Sequence, residues 1–402
     1  MSVHALETAV RTPQPIATAD IAARAKRVAT IAAHHAEAVD RDGRFPVEAF
    51  DALKAERLLS VMVPTSLGGG GASVGQVVDI CYALGRACSS TAMIFAMHQI
   101  KAACLIRHGA HEPWHADFLR RVSSDQLLLA SSTTEGQGGG DVRSSAAAVR
   151  VEDGRIHLER DATVMSYGAQ ADAVVTTARR DGDAASSDQV LIVFEKADYT
   201  LTPTQAWETL GMRGTCSAGF ALKAQGAPAQ VLAEPYALIH AHTMTPTAHL
   251  LWSGVWTGVA AAASERAQRF LRKASRKAGG QLPPGAAHYA RATASLRMLK
   301  SLIAGAQAEY EGLLDDPRAL AHLDFQTRIT LLKVEASELA VATVMSAMRA
   351  CGLSGYRNDG EASIGRLLRD VLSAPIMINN DRILANLGAS SLLSDVPTSL
   401  IG

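Results

Sequence analysis

The sequence predicts an α+β protein in three parts: an N-terminal α-helical bundle over residues 1–126, a middle antiparallel β-barrel or sandwich over 127–240, and a C-terminal α-helical bundle over 241–402. Three observations carry that order. Apolar residues recur every three or four positions before residue 127, the period of a helix packed along one face. From 127 to about 240 this gives way to short apolar runs punctuated by turn residues. Helical spacing then returns near His249 and persists. At 402 residues the chain also exceeds what one hydrophobic core organises, so two or three domains are expected.

Residues 1–17 carry Pro13 and Pro15 and read as a loose arm. Ile21, Ala25, Val28 and Ala32 then step at helical spacing, predicting a helix to about Val39. Phe45-Pro46 opens a second helix, proline being suited to a first turn. Residues 64–71 (PTSLGGGG) form a loop, after which Ser73 can cap a helix through Val77, Ile80 and Leu84. The segment 89–108 is almost wholly apolar around His98, which predicts a helix at the centre of its bundle.

The apolar run 127–130 reads as a buried strand entering a turn, 133–142, of sequence TTEGQGGGDV. Two hydroxyls, a carboxylate and four glycines within eight residues can hold an anion or a ring carbonyl on exposed backbone N–H groups; such a loop can also simply turn the chain. Further strands are predicted at 144–151, at 155–159 after the Asp153-Gly154 turn, and at 173–177, 190–194 and 220–224. In the last third, 277–285 (KAGGQLPPG) is a break. Leu296, Leu299, Ile303, Ala306, Tyr310 and Leu313 then define one helix, 325–351 a second, and two shorter ones flank Asp359-Gly360.

Composition narrows the partners. A zero net charge without any Lys/Arg block argues against nucleic acid or an acidic membrane surface. No uncharged apolar run reaches the ~18 residues of a membrane span, and no charged-then-apolar leader opens the chain, so a cytoplasmic protein is expected. Cys81, Cys88, Cys104, Cys216 and Cys351 lack metal-ligand spacing and read as reduced core residues.

Five ordered motifs give the chain a resemblance to the acyl-CoA dehydrogenase superfamily along nearly its whole length. Residues 134–141 (TEGQGGGD) resemble the family's T-E-P-G-A-G-S-D. Residues 63–71 (VPTSLGGGG), 210–215 (LGMRGT), 351–356 (CGLSGY) and 366–370 (RLLRD) fall, in order, on its other conserved-pattern segments. The resemblance implies a flavoprotein, with FAD rather than FMN, in which the C-terminal bundle builds a homotetramer or dimer. It implies an acyl thioester substrate on CoA or a carrier protein, α,β-desaturation by hydride transfer to FAD, and an electron-transfer flavoprotein or other acceptor. Carried over position by position, Thr133 and Thr134 meet the pyrimidine edge of the flavin, where donors stabilise the reduced anion. Gly140 falls near substrate and cofactor phosphates, and Ser166 beside flavin N5. Gly352, Ser354 and Gly355 approach FAD from the partner chain, and Arg349 can pair with a phosphate. Asn380, in the segment facing the cofactor, can bond ribityl or phosphate groups; a helix cap is the alternative for Asn379-Asn380-Asp381.

The chain also departs from the pattern. Dehydrogenation needs a carboxylate to take the α-proton. The two family positions that supply it fall on Ile378 and Gln268, leaving Glu265, one turn away, and Asp381, three residues away, as the base candidates. Val164 replaces the family's flavin-packing tryptophan. The segment R-x-x-F-G is not recognisable, residues 276–280 being its nearest remnant. His98 can act as acid or base, but reads better as a hydrogen-bonded core residue, and His249 as a helix-entry residue. Arg213 is expected to tie backbone segments together, Glu135 to bond backbone in its loop, and Trp252 and Trp256 to be core or interface. Cys216 has no visible partner to activate it. Two competing readings accompany desaturation: a flavin-dependent monooxygenase on the same scaffold, whose relatives place a histidine near Ile378, and a non-catalytic flavin- or acyl-binding protein.

Overall fold

The computed structural model describes residues 18–135 and 142–392. Its first five helices are α1 (Thr18–Asp42), α2 (Val47–Ala55), α3 (Val74–Ala87), α4 (Ser89–Gly109) and α5 (Pro113–Asp125). α1 buries Ile21, Ala25, Val28, Ala32 and Ala36, the stripe its spacing predicts. α3 starts at a reciprocal capping box, the Ser73 hydroxyl on Gln76 N–H and the Gln76 amide on Ser73 N–H. α4 is buried around nearly its whole circumference.

Seven strands follow: β1 (Leu129–Ser132), β2 (Arg150–Glu152), β3 (Arg155–Ala162), β4 (Ala173–Arg179), β5 (Gln189–Glu195), β6 (Tyr199–Gln205) and β7 (Gly219–Gly226). They make two sheets, β1-β4-β5 and β2-β3-β7-β6. β1 pairs with β4 in parallel, Leu129 opposite Ala173; the other pairings are antiparallel. Among the described residues the sheets do not close into a barrel, so of the two expected forms the open, two-sheet one is observed. The strand expected at 144–151 is mostly irregular, because the N–H groups of Ala146 and Ala147 donate to the Glu135 carboxylate instead of to a neighbouring strand. β6 escapes the sequence because most of its residues, Thr, Pro and Gln among them, are exposed and show no alternation.

The C-terminal part begins with α6 (Tyr236–Ile239) and a π-helical turn, His240–Met244. It continues as α7 (Thr245–Lys277), α8 (Ala286–Gly312), α9 (Pro317–Ala321), α10 (Leu323–Cys351), α11 (Leu353–Tyr356), α12 (Gly365–Val371), α13 (Ser373–Ile376) and α14 (Asn380–Ser391). α7 is the axis of the molecule, packing on α3, α4, α8 and α10. Its approach to α3 is backbone on backbone: a Cβ at Gly258 would sit 2.4 Å from Tyr82 O, and one at Gly85 2.4 Å from Val255 O. Among the described residues no helix is long and apolar enough to cross a membrane, and all five cysteines are free, Cys216 half-buried and the others buried.

One seam matters for the site. The loop after β6 lies against α12, where a Cβ at Gly211 would come within 2.1 Å of Arg369 O. Met212, at φ +52°, donates its N–H to the buried Asp370 carboxylate at 2.8 Å. The middle sheets and the last helices are thus clasped together beside a large cavity.

Candidate functional site

That cavity has a volume of ≈ 610 Å³, within the range of small-molecule sites. α4, the loops following β1, β3 and β6, the π turn, the first turns of α7 and the segment from α12 to Ile378 enclose it. Met93, Met97, Ile100, Val164, Trp207 and Trp252 make its walls mainly apolar.

Its β side is lined with hydroxyls. Thr133 and Thr134 follow β1, and Glu135 anchors the start of the turn through Ser145 Oγ (3.0 Å), Ala146 N–H (2.5 Å) and the Arg160 guanidinium (3.1 Å). Ser166 follows β3, beside Tyr167 at φ +44°, whose own Oη donates to Leu129 O at 2.9 Å. From Ser166 a relay runs inward. Ser166 Oγ and Ser217 Oγ are 2.8 Å apart, Ser217 Oγ and Thr215 Oγ1 2.8 Å, and Thr215 Oγ1 and Met212 O 2.8 Å. The carbonyl can only accept, so Thr215 donates to it, Ser217 donates to Thr215, and Ser166 donates to Ser217. Ser166 therefore offers lone pairs, not its proton, to whatever fills the cavity.

The helical side carries nitrogen. His249 holds its Nδ1–H on Ile329 O at 2.8 Å, and burial lowers its pKa to about 3, so the ring is neutral with Nε2 as an acceptor. Lys101, buried on α4, has its pKa lowered to about 8, mainly by burial. Its ammonium meets Met244 Sδ at 3.4 Å, the sulfur to which Tyr236 Oη donates at 3.2 Å. His240 and Thr245 stand at either margin of the π turn, the hydroxyl 3.2 Å from the ring nitrogens. Such turns concentrate at functional sites. Ile378 lines the cavity and, with Asn379 after it, makes two successive left-handed residues, φ +50° and +51°, a costly conformation for a β-branched side chain.

The site residues expected from the sequence divide sharply. Thr133, Thr134 and Ser166 line the cavity; Gly140 lies outside the described residues. Glu265 does not reach it: half-exposed on α7, it pairs with Arg86 at 2.9 Å. Asp381 is exposed in the first turn of α14, its N–H on Asn379 Oδ1 at 2.9 Å. Neither of these two base candidates lines the cavity and, among the described lining residues, no carboxylate does. Asn380 is also turned away from it. Its amide accepts from Lys333 Nζ at 2.6 Å and donates to Ser337 Oγ at 2.9 Å and Glu338 Oε1 at 2.8 Å. Asn379 takes the capping role foreseen for this triplet. Arg349 near the end of α10, Gly352 just after it, and Ser354 and Gly355 in α11 are not among the described residues lining this cavity.

The single residues fall as follows. His98 is a core residue, Nε2 donating to Leu59 O at 2.7 Å and Nδ1 accepting from Leu129 N–H at 3.0 Å, its pKa lowered to about 4 by burial. Arg213 ties the loop after β6 to the end of α1 through Asp40 O at 2.7 Å. His249 and Trp252 line the cavity, whereas Trp256 is core. Sequence reasoning missed Lys101, Tyr236, His240 and Trp207. A visible signal existed for Lys101, a lone lysine inside the otherwise apolar segment 89–108.

The residues present suit a flavin. Hydroxyls and backbone line one wall for the ring's polar edge, apolar side chains face them, and the acceptor on Ser166 suits a ring N–H. Comparisons with known proteins agree. Residues 19–126 match the family model "Acyl-CoA dehydrogenase, N-terminal domain", and residues 248–393 the model "Acyl-CoA dehydrogenase, C-terminal domain". The chain is 26% identical over 358 residues to the amino sugar nitrososynthase DnmZ of Streptomyces peucetius, covering 84% of each chain. It is 26% identical over 387 residues to cyclohex-1-ene-1-carbonyl-CoA dehydrogenase of Geobacter metallireducens, covering 94% of this chain and 95% of the relative. Its fold matches FMN-bound TdsC from Paenibacillus sp. A11-2, a dibenzothiophene monooxygenase, with a TM-score of 0.82 at 19% identity, over 94% of this chain and 98% of that one. Helical ends around two β sheets, with a hydroxyl-lined cleft between them and two matching family models, make this chain a member of the acyl-CoA dehydrogenase superfamily of flavoproteins.

Proposed function

We propose that this protein is a flavin-dependent monooxygenase, not a thioester dehydrogenase. One observation carries the reading: no carboxylate is among the described residues lining the cavity, so the group that usually takes the α-proton of an acyl thioester is not found among them. Oxygenation needs no such base. A reduced flavin, when bound, supplies the two electrons that activate O₂, one oxygen atom passing to the substrate and the other leaving as water. The names of a nitrososynthase and a dibenzothiophene monooxygenase among the similar proteins support this reading, while that of an acyl-CoA dehydrogenase keeps the sequence-based expectation in view.

In this reading Thr133 and Thr134 hold the pyrimidine edge of the ring. Ser166 accepts from the ring N–H that only the reduced form carries, a preference fixed by the inward-donating relay. Val164, Trp207 and Trp252 exclude water, and His249, kept neutral, accepts from a substrate donor. FMN delivered reduced by a separate reductase fits better than resident FAD, because the segment expected to reach a neighbour's FAD is not recognisable at 276–280. The exposed Leu353, Tyr356 and Ile376 (73%, 73% and 75%) support an oligomer in which Arg349 and Ser354 approach a neighbour's flavin.

The test is anaerobic. Protein with oxidised flavin is mixed with a panel of acyl-CoA thioesters, and separately with reduced FMN followed by ¹⁸O₂ and candidate acceptors. No bleaching by any thioester, tighter binding of reduced than oxidised FMN, and ¹⁸O in product are expected. Bleaching by a thioester would sink the reading.

A further inference from the structure

The helical wall of the cavity holds two strong donors with nothing adequate to donate to. Lys101 is only 4% exposed, and among the described residues its ammonium has a single hydrogen-bond partner, Met244 Sδ. Tyr236, 1% exposed, directs its Oη to the same sulfur. A thioether is a weak acceptor, and a buried cation without a counter-ion is costly. None is at hand. The Cys104 thiol one turn along α4 stays neutral, burial pushing its pKa up to about 12. Arg160 repels the ammonium, and its own carboxylate, Glu135, is shared with two backbone N–H groups. Met244 is readily re-seated: its side chain is unbranched and polarisable, and it ends the π turn.

We propose that Met244 Sδ keeps the place of an oxyanion carried by the substrate, a carboxylate or a group of the same chemistry, which displaces the sulfur and accepts from Lys101 Nζ and Tyr236 Oη. The substrate class is then an amphipathic acid: a flat or aliphatic body against Met93, Met97, Ile100 and Trp252, with one anionic group on the helical wall. This deepens the monooxygenase reading and rests on it for the word substrate. Placing the anion on α4 also fixes which end of the molecule stays clear of the hydroxyl wall. Lys101 and Tyr236 are in this sense specificity-determining residues.

The experiment is equilibrium binding of two isosteric probes, 2-naphthoate and 2-naphthamide, to the full-length protein at pH 7, with and without oxidised FMN. Wild type should bind the carboxylate about tenfold or more tighter than the amide, a difference of ~1.4 kcal/mol. Lys101→Met should abolish that preference and Tyr236→Phe reduce it, while Lys333→Gln, at the other buried lysine, should keep it. Equal binding of the two probes, tighter binding of the amide, or a preference that survives in Lys101→Met overturns the assignment. Neither probe meets reduced flavin or oxygen, so a failed oxygenation assay leaves this result standing, and a failed binding assay leaves the oxygenation reading standing.

Discussion

Two lysines are buried in this protein, and their surroundings could hardly differ more. Lys333, on α10, donates to Asn380 Oδ1 at 2.6 Å and lies over the Trp256 ring at 5.8 Å, with Glu338 close enough to favour its charge. Lys101, on α4, has a thioether. Burial lowers both to about 8, so titration alone would not tell them apart. Their partners do. A buried charge that is hydrogen-bonded and has a carboxylate nearby belongs to the fold, because removing it strands the groups around it. A buried charge left unpaired in a cavity burdens the fold, and points to a ligand that completes it.

The largest expected effect is the split between the two lysines in stability. Lys333→Met strands Asn380 and Glu338 and should lower the unfolding free energy by about 3 kcal/mol in urea. Lys101→Met removes an uncompensated charge and should leave stability unchanged or raise it by up to ~1 kcal/mol. Equal losses would erase the contrast and make Lys101 a structural residue.

The next effect follows pH. A cation whose folded pKa lies below its unfolded value burdens the fold while protonated, and the burden lifts as pH climbs from the folded value toward the unfolded one. For Lys101 that window runs from about 8 up to 10.5. Any stability advantage of Lys101→Met over wild type should therefore shrink between pH 8 and 10, measured by thermal unfolding. An advantage that grows across that range would contradict the assigned burial effect.

On the opposite wall the effects are smaller. Ser166→Ala should weaken reduced FMN about tenfold and oxidised FMN less, because the lost acceptor serves only the reduced ring; anaerobic titration reads it. Ser217→Ala frees the Ser166 proton to turn outward, and should narrow the preference for reduced over oxidised flavin without abolishing binding. Least of all should come from Glu265→Gln. Its pair with Arg86 is half-exposed, so a change below ~0.5 kcal/mol and unaltered turnover are expected.

How much of this was legible in the chain depends on distance along it. The stripe Ile21, Ala25, Val28, Ala32 and the alternation in β3 are local, and both fold as read. β6 carries no apolar alternation, because so little of it is buried, and gave no signal. Thr133, Thr134 and Ser166 do line the cavity, and their neighbours form a motif that is read locally. Asn380 was assigned to the cofactor, but its hydrogen-bond partners Lys333, Ser337 and Glu338 lie more than forty residues upstream on α10. Lys101 was missed for the converse reason. A lysine in an apolar helix ordinarily finds a counter-ion, and only coordinates reveal that, among the described residues, this one has none.

The clasp between Gly211-Met212 and Arg369-Asp370 constrains anyone who would rebuild this enzyme. A graft of the strand region from a relative would bring a foreign loop against α12, where even a methyl group has no room, and would deprive Asp370 of a backbone donor. Chimeras should therefore exchange 209–216 and 366–370 as one unit, although some 150 residues separate them in the chain.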